Sequence, residues 1–153
     1  MRVLFITFGE NFTEGMTYQD NLLAKQIRAD GHEVAIVAGC YKFVNGTLTK
    51  TGEEDKLLNN GIRLIRKGYK NIMGEFVSRK VRAVEGLYEI IESQRPDIIF
   101  QSNLCSYEVL TTSKYKENNP AVKFYVNCHD DRHNSARNVL SREVLHKMFY
   151  RHL

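Results

Sequence analysis

The sequence is poor in the residues that mark several large classes of protein. Among its 153 residues there is no Trp, Pro occurs twice, and the three Cys stand far apart. An odd number of widely spaced cysteines argues against a disulfide framework and is typical of reduced thiols, so we predict a cytoplasmic location. No stretch approaches the roughly 18 apolar residues that a membrane-spanning helix needs, and the N-terminus does not match a signal peptide.

What is present fits one ordered globular domain, with an apolar fraction of 42%. We therefore expect a single domain over residues 1–153. Two nucleotide-binding signatures are missing: the sequence has neither G-x-G-x-x-G after the first apolar run nor Gly-Lys-Ser/Thr, which argues against a dinucleotide fingerprint and a P-loop. The first predicted strand does not end in paired acids, which argues against a phosphoacceptor receiver domain.

The order of apolar runs predicts alternating strands and helices. A strand at Val3–Phe8 is followed by a polar loop over residues 9–16, a helix over 17–30, Gly31 and a second strand through Ala38. The remaining predicted elements are strands at 62–65, 98–101 and 122–126 and helices over 76–93, 106–118 and from Ser135 towards Tyr150. This alternation favours an α/β fold with a Rossmann-like, doubly wound parallel sheet.

Two further segments lie between the second and third predicted strands. Tyr41–Lys50 predicts a small β-hairpin, because Asn45-Gly46 suits the two central positions of a type I′ turn. Residues 53–60 are polar, and we expect them to end in a short helical turn before Gly61.

Basic residues are concentrated between Gly61 and Arg82, where seven of them accompany one acid, Glu75. They are Arg63, Arg66, Lys67, Lys70, Arg79, Lys80 and Arg82. Two interpretations stay open: a solvated helix face, or a surface for an anionic membrane or a phosphate-bearing partner. The net charge of +4 arises from this one segment rather than from the whole sequence. We therefore expect no nucleic-acid binding, and we consider peripheral contact with the inner face of the membrane.

The loop after the first strand is one candidate site, because ligands of such sheets bind beyond the carboxyl ends of the strands. Backbone amides near Gly15 can bind an anion or a sugar hydroxyl at the start of the helix. Thr17 is predicted to cap that helix. The alternative is an ordinary connection between a strand and a helix.

A second candidate site is the polar run Asn127–Asn134 (NCHDDRHN), directly after an apolar strand. Its His and Asp side chains can serve as metal ligands, as an acid or base, or as binders of sugar hydroxyls. A structural zinc site takes four ligands from two separated pairs, and no second pair lies nearby, so we predict no metal. Neighbouring residues of a strand point to opposite faces, so we expect His129 to reach the cleft and Cys128 to be buried; a hydrogen-bonded loop histidine is the alternative.

Several motifs, taken in order, resemble the N-terminal domain of the GT-B glycosyltransferases of the retaining, family-4 type. Those domains begin with a strand, a Gly-containing loop and a helix that carries L-A-x-x-L and ends in G-H-x-V. Leu23-Ala24 with Ile27, followed by Gly31–Val34, is similar to that pattern. Pro96-Asp97 before an apolar strand, and a strand leading to His129-Asp130, are also common in the family.

The resemblance implies one half of a two-domain GT-B fold, the half that binds the acceptor. The whole enzyme would transfer a sugar from a nucleotide-sugar donor to a polysaccharide or a lipid-linked acceptor, without a cofactor and without a metal in the chemical step. The resemblance also implies that His129 lies near the reacting sugar. The predicted substrate-binding residues are Gly15, Met16, Thr17, Asn103, Asp130 and Arg132. In this chain Glu14 occupies the first position of the usual Gly-Gly in the loop.

The sequence ends within an amphipathic helical pattern, so we expect a longer parent protein whose second domain supplies most nucleotide contacts. The chain alone would then be inactive. Two other functions stay open: a non-catalytic α/β ligand-binding or regulatory module, and half of a sugar-nucleotide epimerase, an enzyme that shares the two-domain fold.

Overall fold

The computed structural model of the protein describes residues 1–103 and 107–127, and these contain eight strands and four helices. In chain order they are β1 (Arg2–Ile6), α1 (Gln19–Ala29), β2 (Glu33–Gly39), β3 (Tyr41–Val44), β4 (Thr47–Lys50), β5 (Glu54–Leu57), β6 (Arg63–Lys67), α2 (Glu75–Val81), α3 (Leu87–Gln94), β7 (Ile98–Ser102), α4 (Glu108–Asn118) and β8 (Lys123–Asn127). The helix predicted from Ser135 and the polar run after Asn127 lie outside the described residues.

Six strands form one mixed sheet in the order β5-β6-β2-β1-β7-β8. All neighbours in it are parallel except β5 and β6. The five parallel strands lie side by side as β6-β2-β1-β7-β8. If these five are numbered 1 to 5 by their order in the sequence, the arrangement is 3-2-1-4-5, which is the order of doubly wound folds. The predicted α/β class with a largely parallel sheet is therefore confirmed. The strand order reverses between β1 and β7, so the crevice for a ligand is expected beyond the carboxyl ends of these two strands.

The core lies on both faces of this sheet because side chains alternate along each strand. Val3 and Phe5 of β1 belong to a buried cluster that includes Ala24 of α1. Leu4 and Ile6 belong to a second cluster, which is covered by α3 and α4. Both ends of β1 are thereby fixed between two apolar layers, and its carboxyl end has a defined position. Within the described ranges, no helix combines the length and the apolar character needed to cross a membrane.

The predicted hairpin is confirmed as the antiparallel pair β3 and β4. Asn45 and Gly46 have φ angles of 51° and 77°. A type I′ turn needs positive φ at both central residues, which Asn and Gly adopt at little cost.

The turn predicted just before Gly61 is present, because the Gly61 N–H donates to the Leu58 carbonyl oxygen at 2.8 Å. The residues before that turn were not predicted as a strand, but Glu54–Leu57 form the antiparallel edge strand β5. Its charged side chains pair with those of β6, as in the ion pair between Asp55 and Arg63 at 2.8 Å. An edge strand tolerates charged residues that would be costly within a sheet.

The single helix predicted over residues 76–93 is also wrong, because the chain forms two helices there. α2 ends at Arg82, whose φ of 53° lies in the left-handed region, and α3 begins after Gly86 at φ 70°. Phe76, which the periodicity places on an apolar face, is 77% exposed. The break turns the end of α2 towards the carboxyl end of β1, where the candidate site lies.

The helix predicted over residues 106–118 is observed as α4, whose buried residues are Glu108, Val109, Thr112 and Tyr115. A buried carboxyl group on this helix is unexpected from the sequence, and it belongs to the site described next.

Candidate functional site

A cavity of about 210 Å³ opens beyond the carboxyl end of β1. Its lining residues are Phe8, Gly9, Asn11, Tyr69, Phe76, Arg79, Lys80 and Arg82. The chain leaving β1 supplies the first three, and α2 with its C-terminal residue supplies the cationic side chains. The cavity lies beside the reversal of strand order, which is the usual place for a ligand in such sheets.

Gly9 is enclosed so tightly that a side chain would have to displace its neighbours. A Cβ atom at this position would lie 3.0 Å from the carbonyl oxygen of Ser102, 3.1 Å from the Cβ of Asn103 and 3.3 Å from Nη1 of Arg82. The ends of β1 and β7 and the Arg82 guanidinium therefore meet at Gly9. A glycine is needed here for close approach of the backbone.

The three cations of the cavity differ in their surroundings. Arg79 and Lys80 are exposed, and the Arg79 guanidinium stacks over the Tyr41 ring at 4.6 Å, a cation–π contact that orients it. The Arg82 side chain is 21% exposed, and its Nη1 lies 3.7 Å from Oε1 of the buried Glu108. Glu108 balances one of the three charges, so the side chains named here leave the cavity with an excess of positive charge.

Tyr69 separates the cavity from the sheet. Its hydroxyl donates a hydrogen bond to the Phe8 carbonyl oxygen at 3.3 Å. A Cβ atom at Gly39 would lie 2.7 Å from the same hydroxyl, so this glycine makes room for the ring. Burial raises the pKa of Tyr69 to about 12. The phenol thus stays neutral at ordinary pH and adds no negative charge to the cavity.

A second polar cluster lies at the carboxyl ends of β7 and β8, against α1. The carboxylate of Asp20, in the first turn of α1, accepts a hydrogen bond from the Ser102 hydroxyl, and Nδ2 of Asn127 lies 3.5 Å from its other oxygen. The N–H of Asn103, a residue with φ 78°, donates to the Asn127 carbonyl oxygen at 2.7 Å. The buried carboxylate of Asp20 complements the positive end of the α1 dipole, where a ligand anion would otherwise bind.

The loop around Gly15 is held by a separate set of charges. Arg66 is completely buried, and its guanidinium donates to Glu14 at 2.9 Å, to Glu54 at 2.8 Å and to the Phe12 carbonyl oxygen at 2.9 Å. Nζ of Lys56 lies 2.9 Å from Oε1 of Glu14. Burial on its own would raise the pKa of Glu14, but the Lys56 hydrogen bond and the nearby Arg66 charge lower it to about 2. A negative charge therefore stands beside Gly15 at neutral pH.

Of the predicted substrate-binding residues, Asn103 is the one that the described structure brings to Gly9. Gly15 instead lines a cavity of about 490 Å³ with Lys25 and Lys56. The predicted cap is wrong: α1 has Tyr18 as its N-cap, no side chain makes a capping hydrogen bond there, and Thr17 is exposed. The N–H of Met16 donates to the Thr13 carbonyl oxygen within the loop itself.

The predicted catalytic His129 lies outside the described residues, and so do two further predicted substrate-binding residues. These are Asp130 and Arg132. Their roles stay predictions.

The predicted basic surface is divided by the fold. Arg63 pairs with Asp55 and Lys67 pairs with Glu53. Arg66 is buried, so its inclusion in a membrane-contacting surface is wrong. Arg79, Lys80 and Arg82 of the same segment line the cavity instead, an arrangement that the sequence did not reveal because it depends on the break between α2 and α3.

Among residues 1–103 and 107–127, no three side chains of the metal-binding types converge. Comparison with models of known protein families finds none that matches the chain, and comparison with curated proteins also finds no match.

Proposed function

We propose that this chain is the acceptor-binding domain of a GT-B glycosyltransferase of the retaining, family-4 type. The observation that carries the proposal is the cationic cavity at the end of β1, beside the reversal of strand order. The sequence motifs that resemble the family support it: the Leu23–Ile27 segment lies on α1, and Gly31, at φ 86°, joins this helix to β2.

Sugar transfer from a nucleotide-sugar donor leaves negative charge on the departing diphosphate, and an acceptor that carries a phosphate adds more. Preorganised cations are an effective way to stabilise such charge, because they need no rearrangement during the reaction. Arg79 is held by the Tyr41 ring and Arg82 by Glu108. The cavity is therefore suited to hold one of these phosphates while the sugar is transferred beside it.

The remaining candidate residues have roles that fit this proposal. The Cβ of Asn103 lies next to Gly9, and we propose that the Asn103 side chain contacts a sugar hydroxyl near the phosphate. His129 stands two residues after Asn127 in the sequence, the last residue of β8, which is a neighbour of β7 in the sheet, and we propose that it acts near the reacting sugar. No cofactor is proposed, because the donor is itself a substrate.

The test is nucleotide release by the protein that carries this chain, with a panel of nucleotide sugars and a polyprenyl-phosphate acceptor. We expect release from one donor, a decrease of about tenfold when Arg79→Gln and Lys80→Gln are combined, and a decrease of at least tenfold for His129→Ala. Lys123→Gln is the matched control, because this exposed cation lies at the amino end of β8. Its activity should equal that of the unmodified protein.

Absence of nucleotide release from every donor, by a folded protein, would contradict the proposal. The non-catalytic binding module would then be the better account. A turnover that the paired cavity substitutions leave unchanged would contradict the role given to the cavity.

A further inference from the structure

We infer that the cavity at the end of β1 binds the phosphate of a lipid-linked acceptor, whose apolar chain lies across Phe76 and Met73. The inference rests on the proposed function and specifies its acceptor class. It depends on a juxtaposition: cationic side chains and an exposed aromatic ring line the same small cavity.

The apolar part of this surface consists of two large side chains at the start of α2. Phe76 is 77% exposed and Met73 is 91% exposed. They stand three residues apart in the sequence, on either side of Gly74 and Glu75. Single exposed apolar residues are common, but here Phe76 also lines the cationic cavity. An apolar chain that leaves the cavity would cover both side chains and remove their surface from water.

The charged part of the surface is prepared for a phosphate. The one acid of α2, Glu75, accepts a hydrogen bond from the Tyr41 hydroxyl at 2.6 Å and one from Lys50 at 3.3 Å. Its hydrogen bonds therefore go to the hairpin, although its charge also interacts with that of Arg79. Arg79 and Lys80 remain exposed and can attract an anion, and charge-assisted hydrogen bonds to phosphate oxygens are among the stronger ones in proteins.

The size of the cavity favours a small charged group over a whole nucleotide sugar. At about 210 Å³ it is below the 300–1,000 Å³ or so of sites that enclose drug-sized ligands. A phosphate or diphosphate group would enter, and the rest of the ligand would stay outside. The lining residue Phe76 then marks the side on which an apolar chain would leave.

The inference is tested by calorimetric titration of the whole chain with three probes. These are farnesyl diphosphate, inorganic diphosphate and farnesol. We expect farnesyl diphosphate to bind at least tenfold more tightly than inorganic diphosphate and farnesol not to bind measurably. Equal affinities for the two diphosphates would overturn the role of the apolar pair, and tight binding of farnesol would overturn the role of the cations.

Three variants separate the two parts of the surface. Phe76→Ser should lower the affinity for farnesyl diphosphate at least fivefold and leave the affinity for inorganic diphosphate unchanged. The combined Arg79→Gln and Lys80→Gln substitution should lower the affinity for both diphosphates at least tenfold. Leu57→Ser is the matched control, since Leu57 is 72% exposed at the end of β5 but does not line the cavity. If this control weakens binding as much as Phe76→Ser does, the inference is wrong.

Vesicles distinguish a lipid-linked phosphate from a general attraction to anionic membranes. Binding to phosphatidylglycerol vesicles that farnesyl diphosphate does not displace would overturn the inference in favour of nonspecific charge attraction. Nucleotide release without farnesyl diphosphate binding would disprove this inference but leave the proposed glycosyltransferase function standing. Farnesyl diphosphate binding that follows the variants, without nucleotide release, would support the lipid-phosphate site and disprove the glycosyltransferase function.

Discussion

Two parts of the basic segment between residues 63 and 82 have opposite surroundings. At its start, Arg63, Arg66 and Lys67 on β6 are each paired with acids of the segment around β5. At its end, Arg79 and Lys80 are exposed at the mouth of the cavity. Each of these five cations adds one positive charge to the sequence, but the first three are paired with acids beside the sheet and the last two line the cavity.

The difference follows from the neighbours that each group meets. β5 presents Glu54 and Asp55 to β6, so the cations of β6 find partners at a fixed distance. α2 carries one acid, Glu75, and the hairpin residues Tyr41 and Lys50 engage it. The placement of acids, rather than the number of bases, determines which cations can bind a ligand.

The largest expected effect comes from Arg66→Met. The buried guanidinium is the partner of Glu14 and Glu54 and of the backbone oxygens of Phe12, Gly39 and Tyr41. Removing one partner of a buried ion pair costs about 3–5 kcal/mol. We expect a decrease of that size in the free energy of unfolding, measured by urea denaturation.

The control for this variant is Arg63→Gln. Arg63 and Asp55 are about half-exposed, and ion pairs of this kind contribute at most about 1 kcal/mol. If Arg66→Met costs no more than Arg63→Gln, the buried network does not stabilise the fold as argued here.

A smaller effect is expected from acid. The pKa of Glu14 falls from 4.5 to about 2 in the folded protein, so its charged form stabilises the fold above pH 4.5, and this contribution is lost as the pH falls towards 2. Because the Glu14 side chain is partly exposed and water screens its charge, the loss is at most about 3 kcal/mol. In Glu14→Gln this part of the pH dependence should be missing, and urea unfolding between pH 7 and pH 2 measures it.

The control is Glu117→Gln, an exposed position near the end of α4. Its pH dependence should match that of the unmodified chain. If Glu14→Gln also retains the full pH dependence, then Arg66 and Lys56 do not hold the Glu14 charge in the folded state.

The sequence was sufficient to predict the elements that depend on local patterns. Uncharged apolar runs predicted β1 and β2, and Asn45-Gly46 predicted the hairpin turn, because both signals depend on a few adjacent residues. β5 was missed, since its sequence EDKL is polar and its strand character depends on pairing with the charged residues of β6. The break at Arg82 was missed as well, because apolar spacing continues across it and a non-glycine residue adopts the left-handed conformation there.

The candidate site was predictable only in part. The carboxyl end of β1 was a predicted ligand position, and Asn103 was a predicted contact that lies beside Gly9. The sequence pointed to Gly15 as the phosphate loop, but Glu14 beside it is charged and bonded to Arg66. Arg79 and Lys80 were predicted only as part of a basic surface, because their position in the same cavity as Gly9 depends on the tertiary fold.

The most direct test asks, in one titration, whether a phosphate binds near Gly9 or near Gly15. Inorganic diphosphate is added to the ¹⁵N-labelled chain while the amide signals of Gly9, Asn11, Lys80 and Gly15 are followed by NMR. Binding in the cationic cavity predicts saturable shifts for the first three and little change for Gly15. Saturable shifts at Gly15, with Gly9 and Lys80 unaffected, would place the phosphate site in the loop before α1 and contradict this account.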